Sequence, residues 1–151
     1  MPVTMEQVRA ALDPEEPDYE KAAKLGPETL PHLEKLIARK DPHLASKAAS
    51  LAGMIKDKRA ASVVEKAAKH EDARVRVAAA HSAQYLSPPD ASSVLVVALA
   101  DKDVGVQKVA LRSVPKEPSP ELRSKIEALA KRQRANPAIR DLSKEVLARR
   151  R

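Results

Sequence analysis

The sequence contains no cysteine, no phenylalanine and no tryptophan, and apart from four histidines its only aromatic side chains are Tyr19 and Tyr85. Without cysteine there can be no disulfides, no zinc–thiolate sites and no thiol catalysis, which fits a reducing compartment. The scarcity of aromatic residues argues against a β-sandwich or barrel, whose strands draw on aromatic and β-branched side chains. Three glycines form no phosphate-binding loop. The longest apolar run, Val94 to Ala100, is far too short to span a bilayer, and Met1 to Asp13 is too polar for a secretion signal. A cytoplasmic protein with no membrane contact is the expectation.

What is present is 43% hydrophobic and 32% charged residues, the apolar share being almost all Ala, Leu, Val and Ile. Such side chains suit thin helices packed closely together. A chain of 151 residues suffices for one domain. The net charge of +7 is unevenly placed. Residues 1–34 hold eight acids against three bases, a net of −5, whereas Arg123 to Arg151 holds ten bases against three acids, a net of +7.

Written in rows of 31, the chain aligns with itself. Asp41, Asp72 and Asp103 share a column, with Leu44, Val75 and Val106 three places later and Ala48, Ala79 and Ala110 beyond. Upstream, Leu33, Val64, Leu95 and Ile126 form one column, Leu36, Ala67, Ala98 and Leu129 a second, and Ile37, Ala68, Leu99 and Ala130 a third. Columns at i, i+3 and i+4 define one helix face, so each unit reads as an amphipathic helix A followed by a helix B. The aspartates stand where an N-cap supplies an acceptor to unpaired backbone donors, and Pro42 occupies the first helical position. In the last unit Asn136-Pro137 takes this place after a two-residue insertion, and Ile139, Ser143 and Leu147 match Val106, Ala110 and Val114. The first hairpin is irregular: Thr4 to Gln7 spells a capping box, and Leu25-Gly26-Pro27 is a stop. The expected organisation is a single domain over 1–151, with a capping hairpin at 1–26 and repeats at 27–57, 58–88, 89–117 and 118–151.

Val75-Arg76-x-x-Ala79-Ala80 and Leu44-x-x-x-Ala48-Ala49-x-Leu51-Ala52-Gly53 resemble the signature of HEAT and HEAT-like repeats, over roughly residues 27–149. The Trp/Gly/Tyr pattern of tetratricopeptide units and the Thr-Pro-Leu-His of ankyrins do not occur. Against a usual HEAT length of about 40–47 residues, these units are compact. The family's glycine near the end of helix B survives only as Gly53, with Gln84, Pro115 and Ala148 in its place. The resemblance implies an all-α fold, a right-handed α-α superhelix (solenoid) of about five hairpins, with B helices lining the concave side.

Catalytic chemistry finds few candidates. His32, His43, His70 and His81 offer no i, i+3 or i+4 metal pair, and His70-Glu71 is a single dipeptide where HEAT-like deoxyhypusine hydroxylases carry several. HEAT-like alkylpurine DNA glycosylases use aromatic residues in their groove, and no Trp exists here to stack a base. Phycobilin lyases also contain such repeats, but nothing here marks a chromophore site. Tyr85 reads as an amphipathic side chain at a helix end. No enzyme activity, metal or cofactor is expected.

Binding surfaces are better marked. On the B helices the non-core positions are Ser46 and Ser50, then Arg76, Val77 and His81, then Gln107, Lys108 and Arg112, then Arg140 and Lys144. These predict a basic stripe toward the C-terminal half, extended by Lys131, Arg132, Arg134 and Arg149 to Arg151. Such a stripe would hold an acidic protein segment by complementary charge or a phosphate backbone by counterion release. With so few aromatics for stacking, a protein partner is preferred over nucleic acid. Exposed helix faces are also commonly rich in Arg and Lys without any partner. A second feature is the pair Val96-Val97, which replaces Glu34-Lys35 and Glu65-Lys66 of the earlier units. Either that helix is covered or it presents an apolar patch for another chain, including a second copy. The opposite charges of the two ends also permit head-to-tail association.

Overall fold

A computed structural model describes residues 2–132 and 136–149. The described residues form ten α-helices and two short 3-10 turns: α1 (Met5–Leu12), α2 (Tyr19–Ala23), a turn at Pro27–Thr29, α3 (Leu30–Ala38), α4 (Pro42–Ala52), α5 (Ala60–Ala68), α6 (Ala73–Ser82), a turn at Ala83–Tyr85, α7 (Pro88–Leu99), α8 (Val104–Arg112), α9 (Pro120–Lys131) and α10 (Pro137–Arg149). Among the described residues there is no strand, and no helix is long and apolar enough to cross a membrane.

Each helix starts where the local chemistry favours it. Thr4 and Gln7 cap α1 reciprocally. Asp41 accepts from the Leu44 N–H, Asp72 from Arg74 and Asp103 from Val106, so the aspartate column opens α4, α6 and α8. Ser119 caps α9 through the Leu122 N–H, and Asn136 accepts from Ala138 at the start of α10. Each such cap contributes about 1 kcal/mol. Gly26 closes the first hairpin with φ of 89°, a conformation that glycine adopts without steric cost.

The helices pack in two rows. In one, α3 lies against α5, α5 against α7 and α7 against α9; in the other, α4 lies against α6, α6 against α8 and α8 against α10. Within each hairpin α3 packs on α4, α5 on α6, α7 on α8 and α9 on α10, while α1 and α2 cover the first hairpin. The three helix A columns are buried in all four units, from Leu33, Leu36 and Ile37 to Ile126, Leu129 and Ala130. On the B helices, Ala48, Ala79, Ala110 and Ser143 form an equivalent buried column. Each fully buried Leu or Ile contributes about 1.5–3 kcal/mol. The alanine columns contribute less area but let the helix backbones approach.

Two helices approach closely at Gly53, at the end of α4. Its N–H donates to the buried Ser82 hydroxyl at 2.9 Å, and Ser82 donates in turn to the Ser50 carbonyl at 3.4 Å. A Cβ at position 53 would lie 2.3 Å from both the Ser82 carbonyl oxygen and its Oγ. This glycine is therefore required by the α4–α6 junction. The later B helices carry Gln84 and Pro115 in that column.

Candidate functional site

The even-numbered helices carry the predicted basic stripe, and its members fall into two groups. Arg76 is committed within the chain. Its guanidinium donates to Asp101 through Nε at 2.7 Å and Nη2 at 3.4 Å, and through Nη1 to the His70 and Glu71 carbonyls at 2.9 Å each. The two side chains retain only 14% and 9% exposure. Asp101 also accepts the Asp103 N–H at 2.9 Å. Arg76 thus ties the α5–α6 turn to the α7–α8 turn of the next unit, a structural fork where the sequence suggested a free cation. Gln107, one repeat later, donates to the Leu99 carbonyl at 3.2 Å, so this column reaches back to the end of its own helix A. Arg140 breaks the pattern and pairs with neighbouring Asp141 at 3.4 Å.

The second group faces outward. His81 and Arg112 are exposed, and Lys108 is half-buried. His81 makes an edge-to-face contact with Tyr85, ring centroids 6.1 Å apart. Neither Lys108 nor Arg112 has an ion-pair partner among the described residues. Lys144 is exposed, but it occupies the column of Ala49, Ala80 and Leu111, all buried between units. It therefore stands at the end of the helix row and does not lengthen a stripe. Of the predicted extensions, Lys131 and Arg132 are exposed, Arg149 pairs with Glu145, and Arg134, Arg150 and Arg151 lie outside the described residues.

Val96 and Val97 separate. Val96 is half-buried and packed against the core, whereas Val97 is 39% exposed. Their neighbours Val94 and Leu95 are buried, so the patch contracts to Val97. The repeat supplies a physical context. Lys66 on α5 pairs with Glu34 on α3, joining adjacent units on the helix A side. One register later the corresponding positions are Glu65 and Val97, and one further Val96 and Ala128, so the charges that make the ion pair are lost stepwise toward the C-terminal units.

Two features escape the sequence columns. Lys47 falls in a column otherwise filled by Ala78, Val109 and Leu142, yet it is buried and donates to the Leu12 and Pro14 carbonyls at 3.0 and 2.8 Å. It fastens the end of α1 to α4; the signal was a charge in an apolar column. Tyr85 is 46% exposed and, with Val97, one of two exposed large apolar residues among those described. It borders a cleft of about 520 Å³ between the turns that follow α4 and α6.

Electrostatic perturbations occur at the turns. Hydrogen bonds from the Arg74 side chain and then its backbone hold Asp72 down at about 2. Arg59 lowers Asp57 in the same way. Burial raises Tyr19, opposed by its hydrogen bond with Ser50. None of these groups converges with a nucleophile, and among the described residues no three His, Asp or Glu side chains gather as a metal would require. In comparison with known proteins, the chain matches no family model and no curated sequence.

Proposed function

We infer that the chain is a non-catalytic interaction scaffold that binds an acidic, extended protein segment across its even-numbered helices. The reading rests on one observation: Lys108 and Arg112 are cations on α8 without an internal counter-charge, beside exposed His81 on the packed neighbour α6. A side chain held at a regular helix surface needs no further partner for folding, so its charge is available to a ligand. The two rows of helices fit a right-handed solenoid of HEAT-like hairpins, in which the even-numbered helices form the concave side. The organisation into a cap and four repeats within one cytoplasmic domain belongs to the same proposal.

A direct test titrates the full chain with poly-glutamate and, separately, with a short DNA duplex. Binding of poly-glutamate that Arg112→Glu abolishes supports the scaffold. Duplex binding that weakens steeply with salt, with poly-glutamate inert, reverses the assignment in favour of a module for phosphate backbones.

A further inference from the structure

Both tyrosines of this chain meet the same column of the B helices. Tyr19 comes close enough to Ser50 on α4 for the two side chains to interact, and Tyr85 lies edge-on to His81 on α6. Positions 50 and 81 are one repeat apart, and the next member of the column is Arg112 on α8. A sequence with two tyrosines and no other aromatic side chain but histidine thus lines up a polar–aromatic pair, an aromatic pair and a free guanidinium along α4, α6 and α8. The cleft of about 520 Å³ beside Tyr85 is lined by Ile55, Lys56, Lys58 and Leu86. Its two carboxylates are already engaged, Asp57 by Arg59 and Asp90 by the Ser87 hydroxyl. Lys56, Arg112 and Lys116, one repeat on from Tyr85, have no hydrogen-bond or ion-pair partner among the described residues.

We propose that this row is the docking track of the acidic segment, with Tyr85 as its apolar anchor. Rings and arginines presented together dominate binding energies at protein interfaces. Adjacent packed helices are about 8–10 Å apart, so the path from α4 to α8 is about 16–20 Å long. An extended strand rising about 3.3 Å per residue covers it with about six residues. The ligand is therefore a short extended peptide that places one aliphatic side chain in the cleft against Tyr85 and Leu86 and carboxylates against Lys56 and Arg112. The proposal rests on the scaffold reading and gives that face a register, a length and an anchor.

The test uses the full chain and three capped hexapeptides: Glu/Asp with one central Leu, the same peptide with Ser for Leu, and Leu within Ser/Gln. With no Trp in the chain, a Tyr19→Phe background makes Tyr85 the only tyrosine reporter, read by NMR of its ring. The first peptide shifts the Tyr85 ring and the Arg112 side chain together, and Tyr85→Ser weakens it about tenfold, as for a truncated anchor. The Ser peptide binds as weakly to the parent as the Leu peptide does to Tyr85→Ser, and the uncharged peptide does not bind. Circular dichroism confirms that the exposed Tyr85→Ser substitution leaves the helices intact. If the acidic peptides shift Arg112 and Lys108 but leave Tyr85 unmoved, with Tyr85→Ser binding as the parent does, the track is refuted while the scaffold stands. If no acidic peptide shifts any B-helix residue, both fall.

Discussion

Replacing Asp101 with Ala isolates the fork that holds the third repeat to the second. The substitution removes both charge-assisted bonds to Arg76 and leaves a guanidinium, 14% exposed, with only the His70 and Glu71 carbonyls as acceptors. Removing one partner of a buried pair costs about 3–5 kcal/mol. The remaining exposure admits water to Arg76, so we expect about 2–4 kcal/mol. Arg76→Met should cost less, because Asp101 keeps the Asp103 N–H. The double replacement Arg76→Met with Asp101→Leu should return to within about 1 kcal/mol of the parent, since apolar side chains of similar volume relieve the desolvation cost. Urea unfolding followed by circular dichroism at constant slope measures these variants and Asp101→Leu alone, and the cycle of Arg76→Met with Asp101→Leu should yield a coupling of about 2 kcal/mol. A cost for Asp101→Ala below about 0.5 kcal/mol, or two single effects that simply add, would refute the fork. Arg76 would then count as a free surface cation.

Gly53→Ala forces a methyl group onto the Ser82 backbone and should cost about 1–3 kcal/mol or more. Gly105→Ala, in the first turn of α8 and exposed, meets only the Asp103 carboxylate at 3.0 Å, and should stabilise by up to about 1 kcal/mol. Thermal melts that rank these two the other way contradict the junction described here. Lys47→Met should leave the α6 and α8 amides unchanged while α1 exchanges hydrogen at least about tenfold faster; uniform protection across all helices would show that Lys47 does not fasten the end of α1. Asp72 and Asp57 have lowered folded-state pKa values, so their stabilisation is complete above the unfolded value of about 4 and is lost as pH falls toward 2. Tyr19 is raised, so its contribution is complete below about 10 and is lost above that. The melting temperature should therefore fall below the acidic limit and above the basic one, and a rise between pH 4 and 2 would contradict the acidic arm. Val97→Glu should change stability by less than about 0.5 kcal/mol, whereas Val96→Glu should be clearly destabilising, as read in the same urea assay.

The helices were legible because their signals are local. The aspartate caps act on backbone donors two or three residues away, and the columns repeat at the spacing of one helix face, so the core from Leu33 to Ala130 could be read before any packing was known. The site was less legible because its decisive partners are remote. Arg76 and Asp101 are 25 residues apart, and only the stacking of one unit on the next brings them together. Both read as ordinary surface charges in a single row. Lys47 is satisfied by backbone carbonyls, which every residue possesses and no sequence pattern marks. Tyr85 was visible as a rare residue, but its exposure and its contact with His81 depend on where the turn after α6 leaves the helix. The Val96-Val97 departure was visible as a break in a column, and burial then divided it between two environments.

The junctions between hairpins differ in what holds them. Between α4 and α6 the Ser82 hydroxyl bridges to the α4 backbone, accepting from the Gly53 N–H and donating to the Ser50 carbonyl, at a point where only glycine leaves room for it. Between α7 and α9 the chain leaves a cleft of about 340 Å³ lined by Leu99, Ala100, Leu129 and two long cations, Lys125 and Arg132. The two joints are therefore closed by different means: one by a serine hydroxyl shared between helices, the other by apolar side chains at the floor of an open, cation-flanked cleft.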